Sequence, residues 1–163
     1  MRTLLIVWHS RTGGARQMAH AAAAGAQAEE GIQVRLLHAS AAGANELLAA
    51  AGYLFVTPEN LATMAGQMKD FFDRIYYEGL DRINGRPYAQ LICAGTDGTG
   101  AARQIERIAT GLRLKAVAEP LIVLTHAQTK EAILAPKNIA PDELARCYEL
   151  GAALAAGLAT GVF

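Results

Sequence analysis

Three short polar stretches hold the residues that could do chemistry. Ser10, Arg11, Thr12, Gly13, Gly14 and Ala15 follow an apolar run and open an Ala-rich segment. Such a loop suits a phosphate. Its hydroxyls donate to phosphate oxygens, and its glycines permit positive φ and close backbone approach. The free N–H groups and dipole of the helix it opens favour an anion. Arg11 and Arg16 could add charge-assisted bonds. The loop has neither the Gly-Lys-Ser/Thr of a P-loop nor a G-x-G-x-x-G, which argues against a nucleotide triphosphatase and a dinucleotide-binding Rossmann enzyme. The second stretch is Pro58, Glu59, Asn60, Leu61, Ala62 and Thr63; the third runs from Gly95 through Thr96, Asp97 and Gly98 to Gly100. Glu59 and Asp97 are either solvent-facing loop acids or carboxylates that tune a ligand electrostatically. His9 and His126 carry imidazoles and are candidate ligand contacts or acids. Ser10 has no G-x-S-x-G elbow around it and is not a hydrolase nucleophile. Tyr76 and Tyr77 read as packing groups at a helix end, with a substrate pocket or a dimer contact as the alternative, and Asp73 and Arg74 as salt-bridge partners. Cys93 and Cys147 read as buried free thiols, and no spacing suggests a metal.

These stretches need elements to position them. Thr3 to Trp8 is a continuous apolar run, the signature of a strand buried on both faces. Ala15 to Glu30 follows as a helix whose small side chains let it lie close to the sheet, with Gly31 as its stop. Gln33 to His38 is a second strand, Asn45 to Ala51 a short helix ended by Gly52, and Tyr53 to Thr57 a third strand punctuated by Pro58. Met64 to Tyr77 is amphipathic, with Met64, Met68, Phe71, Phe72 and Ile75 on one stripe. A polar connection from Gly79 to Pro87 leads to a fourth strand, Tyr88 to Ala94, and then to a helix, Ala101 to Leu112. Lys115 to Thr125 is a fifth strand region interrupted at Pro120, His126 to Ala140 is irregular, and Pro141 to Leu158 is the last helix. Strands alternating with helices imply an α/β fold, a three-layer, doubly wound, five-stranded parallel sheet in the order 2-1-3-4-5. In that order strands one, three and four are adjacent. The three polar stretches leave their carboxyl ends and converge on one site.

Length and composition narrow the partners. The 163 residues suit one domain, 1–163. Fifteen basic residues balance fifteen acidic ones, so neither a nucleic-acid partner nor docking through an acidic surface is expected. Leu4 to Trp8 is too short for a signal-peptide core, and the Ala-rich tail from Gly151 to Val162 reads as a core helix, not a membrane span. A cytoplasmic protein is the expectation, and a homodimer is possible.

The residues also carry a family resemblance that spans nearly the whole chain. Ser10-Arg11-Thr12-Gly13 after an apolar strand resembles the Ser/Thr-x-Thr-Gly phosphate loop of flavodoxins. The run Thr57-Pro58-Glu59-Asn60-Leu61-Ala62-Thr63-Met64, followed by Gln67-Met68-Lys69, Phe71 and Asp73, resembles the flavin-ring loop and helix of flavodoxin-like NAD(P)H:quinone oxidoreductases and FMN reductases. Gly95 to Gly100 is similar to their third flavin loop. The resemblance implies a flavodoxin-like fold and FMN as cofactor. Ser10, Thr12, Gly13, Gly14 and Ala15, with Arg11, would lie at the phosphate. Pro58, Glu59, Asn60, Leu61, Ala62 and Thr63 would edge the ring, and Gly95, Thr96, Asp97 and Gly98 would close its other side. It further implies NADH or NADPH as co-substrate and a quinone, flavin or other small acceptor; the alternative is a flavodoxin-type electron carrier with no substrate of its own. No catalytic side chain is named, because the cofactor carries the chemistry. Two departures matter. Ala15 stands where flavodoxins usually place a second Thr, which removes a bond worth about 1.5–3 kcal/mol to a charged group. The second and third loops contain no Trp, Tyr or Phe, which leaves a ring face free for a second planar molecule.

Overall fold

The computed structural model describes all residues, 1–163. β1 (Arg2–Trp8) turns Leu4 and Ile6 to one face and Leu5 and Val7 to the other, and all four are fully buried. Side chains alternate across a strand, so an unbroken apolar run requires cover on both faces. β1 lies between β2 (Ile32–His38) and β3 (Gly52–Asn60), parallel to each. β3 turns back into the short antiparallel β4 (Thr63–Met64) and pairs along its other edge with the parallel β5 (Pro87–Ala94). β6 (Lys115–Ala116) and β7 (Leu121–Leu124) both run parallel to β5. Taken as one strand broken around Pro120, they complete the expected order 2-1-3-4-5.

Helices cover both faces. α1 (Gly14–Gln27) covers the face of Leu4 and Ile6, where Met18, Ala19 and Ala22 are fully buried. α2 (Ala44–Ala49), α3 (Gly66–Gly79) and α4 (Thr99–Gly111) cover the opposite face. There the α3 stripe of Met68, Phe71, Phe72 and Ile75 meets Phe55, whose ring centroid lies 5.0 Å from that of Phe72. α5 (Lys130–Leu134) sits in the connection after β7, and α6 (Pro141–Thr160) lies beside α1. The approach of α1 and α6 depends on two glycines. A Cβ on Gly25 would sit 2.0 Å from the Tyr148 carbonyl oxygen, and one on Gly151 would sit 1.9 Å from that of Ala22.

Several boundaries differ from the sequence reading, each for a local reason. β3 does not stop before Pro58. β1 pairing ends at the Trp8–Val56 step, so beyond it that edge of β3 asks for no donor and proline fits. Met64 belongs to β4, not to the helix after it, because its N–H donates to Gln104 Oε1 (2.8 Å) and the Ala65 N–H to Thr57 Oγ1 (3.1 Å). α1 ends at Gln27, three residues before Glu30: the Ala28 and Glu29 N–H groups bond Gly25 and Ala26, tightening the last turn so that Ile32 can pair with Arg2. α2 ends at Ala49 because Ala50 is extended, and Arg86 donates to the carbonyls of Leu48 (2.8 Å) and Ala50 (2.6 Å). The 126–140 segment is not wholly irregular: Thr129 accepts the Ala132 N–H (3.1 Å) and caps α5. α6 continues past Leu158 to Thr160, where Gly161 closes it at φ 71°. No helix is long and apolar enough to cross a membrane.

Candidate functional site

The carboxyl ends of β1, β3, β5 and β7 open into a cleft of about 430 Å³, a size suited to a small-molecule ligand. Its walls draw on all three polar stretches: Arg11 and Thr12, then Pro58 to Ala62, then Gly95 and Thr96. No aromatic side chain lines it.

The first wall is built for an anion. Gly13 takes φ 97° and starts α1 at Gly14; its N–H donates to Ser10 Oγ (3.0 Å), which leaves the Ser10 hydroxyl hydrogen free. The N–H groups of Gly14, Ala15 and Arg16 have no carbonyl partner, as the first turn of a helix must leave them. Gly14 also packs tightly: a Cβ there would sit 2.6 Å from Cys93 Sγ. Ser10, Gly13, Gly14 and Ala15 form this cradle at the start of α1 and are not part of the cleft wall itself.

α4 begins in the same way, with Gly98 at φ 89°, but its N-terminus is already occupied. Glu59 reaches across from β3 and accepts the N–H groups of Gly98 (2.9 Å) and Ala101 (3.0 Å). The Glu59 carboxylate is partly buried at the cleft wall, and both its oxygens are engaged by backbone donors; it ties the second loop to the third. Asp97 is similarly local, accepting the Thr99 hydroxyl (2.8 Å). Of these two helix starts, that of α1 is the one open to an anion.

The second wall is a hairpin. Asn60 pairs with Thr63, and the two residues between them, Leu61 (φ 53°) and Ala62 (φ 65°), both lie in the left-handed region. A two-residue turn of that kind normally uses Asn and Gly. Leu61 at its tip is 97% exposed. Thr63 faces away from the cleft, into a groove between α3 and α4, and its hydroxyl bonds the Asn60 carbonyl (3.1 Å).

A fourth wall comes from the segment after β7, which the sequence reading left out of the site. Thr125, Ala127, Ile133, Leu134 and Lys137 line the cleft, with Cys93 and Ala94 of β5 at its base. This segment is strapped to the first loop. The Lys137 N–H donates to the Thr12 carbonyl (2.9 Å), and Gln17 binds both the Gly13 (2.9 Å) and Lys137 (2.7 Å) carbonyls. A usable signal existed: β7 ends at the same sheet edge, so its trailing loop belongs with the other three.

Of the remaining candidates, Cys93 lies at the cleft base and the others fall outside its lining. His9 Nδ1 faces His38 Nε2 (3.2 Å); burial, then the His38 charge, push the His9 pKa down. His126 has φ 59° and donates its N–H to the Gly95 carbonyl (2.9 Å), a structural role. Asp73 pairs with Lys69 (2.6 Å) and Arg74 with Asp70 (2.8 Å), as read from the sequence. Burial pushes Cys93 up to about 11 and Cys147 up to about 12, so both thiols stay protonated. No group of three or more metal-ligating side chains is present.

Comparison with known proteins identifies the family. The family described as NADPH-dependent FMN reductase matches residues 40–129, more than half of the chain. The chain belongs to that family. A protein named flavodoxin from Aquifex aeolicus (strain VF5) is 32% identical over 100 residues, covering 61% of this chain and 54% of the relative. An NAD(P)H dehydrogenase (quinone) from Acidithiobacillus ferrooxidans is 30% identical over 123 residues, covering 61% of this chain and 60% of the relative. The chain thus spans between half and two thirds of the length of these curated relatives. Among solved structures, a flavodoxin from the domain Archaea superposes with a TM-score of 0.77 at 16% identity, over 96% of this chain and 98% of that one. The fold is flavodoxin-like.

Proposed function

We propose that the chain binds FMN in this cleft and serves as an NAD(P)H-dependent oxidoreductase toward a small acceptor. The observation that carries the reading is the open N-terminus of α1 at the mouth of an aromatic-free cleft, beside a matching helix start sealed by Glu59. The donor set fits the cofactor. The free N–H groups of Gly14, Ala15 and Arg16 and the hydroxyls of Ser10 and Thr12 suit a phosphate dianion. The 58–62 hairpin and Gly95–Thr96 would border the ring, with Asn60 offering amide and backbone groups to its polar edge. Leu61, Ile133 and Leu134 would keep water from it. Bound FMN would supply hydride acceptance from a nicotinamide and electron transfer onward. The chain's task is to hold the phosphate, orient the ring and leave one face open to a second planar molecule.

A flavodoxin-type carrier is the second reading, favoured by the relative of that name from Aquifex aeolicus. Anaerobic addition of NADH or NADPH to the FMN-loaded chain separates the two. One-step loss of the oxidised flavin absorbance supports the reductase. Flavin that resists both nucleotides, and stops half-way on stepwise chemical reduction, supports the carrier.

A further inference from the structure

The phosphate cradle lacks a hydroxyl at Ala15, and its two nearby arginines do not replace it. Arg11 and Arg16 are exposed, and neither side chain is hydrogen-bonded to the cradle. Lys137 differs from both in burial and in bonding. It is half-buried, lines the cleft as Arg11 does, and arrives from 125 residues away in the chain. Its backbone is held at both ends, by Thr12 and by Gln17. Its ammonium is held by three acceptors: the carbonyls of Ile133 (2.8 Å) and Ala135 (2.6 Å), and Thr12 Oγ1 (3.3 Å).

The third of these bonds has a chemical consequence. A hydroxyl oxygen that accepts from an ammonium has its own hydrogen directed elsewhere. Thr12 is therefore set as a donor, on the same loop as the free N–H groups of α1. The positive charge behind it adds to the helix dipole. Two carbonyls alone would fix the ammonium; the added bond to Thr12 places its charge against the cradle.

We propose that Lys137 is a positioning residue of the anion cradle, orienting the Thr12 hydroxyl and supplying the counter-charge by which the chain selects FMN over riboflavin. This rests on the FMN reading above. The selectivity follows from charge: riboflavin carries the same ring and ribityl chain but no phosphate, so it gains nothing from Lys137.

The test measures equilibrium binding of FMN and of riboflavin, by flavin fluorescence, to the unaltered chain and to Lys137→Met and Lys137→Arg. The expected result is an FMN affinity lowered on the order of tenfold by Lys137→Met, for loss of the counter-charge and of the directed Thr12 donor. Riboflavin affinity should change by less than about twofold, since it brings no phosphate to the cradle. Lys137→Arg should restore most of the FMN affinity. The unaltered chain should also show a steeper fall of FMN affinity with added salt than Lys137→Met, a readout that damage to folding would not produce. Equal loss of FMN and riboflavin binding would make Lys137 a structural strut only and overturn the proposal, as would an unchanged FMN affinity. Failure of the unaltered chain to bind FMN would overturn the FMN reading together with this one, and is told apart because it occurs with Lys137 in place.

Discussion

Glu59 offers the sharpest check on how the site is assembled. Its carboxylate accepts two N–H groups at the start of α4, at 2.9 and 3.0 Å, and so joins the β3–β4 hairpin to the third loop. Glu59→Ala would leave both donors without their partner and remove a negative charge from the positive end of a helix dipole. Hydrogen bonds to a charged group are worth about 1.5–3 kcal/mol, and capping residues typically about 1 kcal/mol. Because Glu59 is only partly buried, water can replace some of the loss, and about 2 kcal/mol is the expected total. For a chain of this size that corresponds to a fall in melting temperature of roughly 4–8 °C. Glu59→Gln keeps one acceptor oxygen and should lose about half as much. Thermal unfolding followed by circular dichroism measures both. Amide hydrogen exchange at Gly98 and Ala101 should quicken in the Ala variant. An Ala variant that melts within about 1 °C of the parent, with exchange unchanged, would refute the capping role.

Three further outcomes are expected. Replacing Leu61-Ala62 by Asn-Gly relieves two left-handed residues, each costing about 1–2 kcal/mol, and loses almost no burial because Leu61 is 97% exposed. The urea midpoint should rise, and a fall would contradict the turn geometry. Gly14→Ala drives a Cβ toward Cys93 Sγ and should lower stability by about 1–3 kcal/mol. Adding Cys93→Ala should return most of that loss; additive losses in the double variant would rule the clash out. The buried thiols should resist a disulfide reagent in the native state at mildly alkaline pH and react on unfolding. Their folded pKa values, about 11 and about 12 against an ordinary 9.0, mean that the unfolded chain releases protons first. Their stabilisation is full below pH 9 and is lost as pH rises through 11 to 12. Tyr53 and Tyr88, also raised by burial, act with the same sign, so a Cys93→Ala/Cys147→Ala chain should lose stability less steeply with pH without becoming flat.

The strands were legible because burial on both faces demands unbroken apolar runs, as in Leu4 to Val7 and Tyr53 to Val56. Alternation with helices then left few ways to order the sheet. The three loops followed, since their place at the carboxyl edge is a consequence of topology. What stayed hidden depends on long-range contacts or on broken local rules. The β3–β4 hairpin turns on Leu61 and Ala62, which carry no turn signal. Glu59 reads as a loop acid until Gly98 and Ala101, 39 and 42 residues on, come within reach. Lys137 sits in a stretch without periodicity, and only the fold brings it to Thr12.

The central claim is that FMN sits in the four-walled cleft with its phosphate on the first turn of α1. An FMN titration of the 15N-labelled chain, followed by amide NMR, tests it directly. The account expects saturable shifts at Ser10 to Arg16, largest at Gly14, Ala15 and Arg16, with a second set at Asn60 to Ala62 and Gly95 to Thr96. Gly98 and Ala101, already bonded to Glu59, should move little. Absence of saturable shifts, or shifts centred on the groove between α3 and α4, would contradict it.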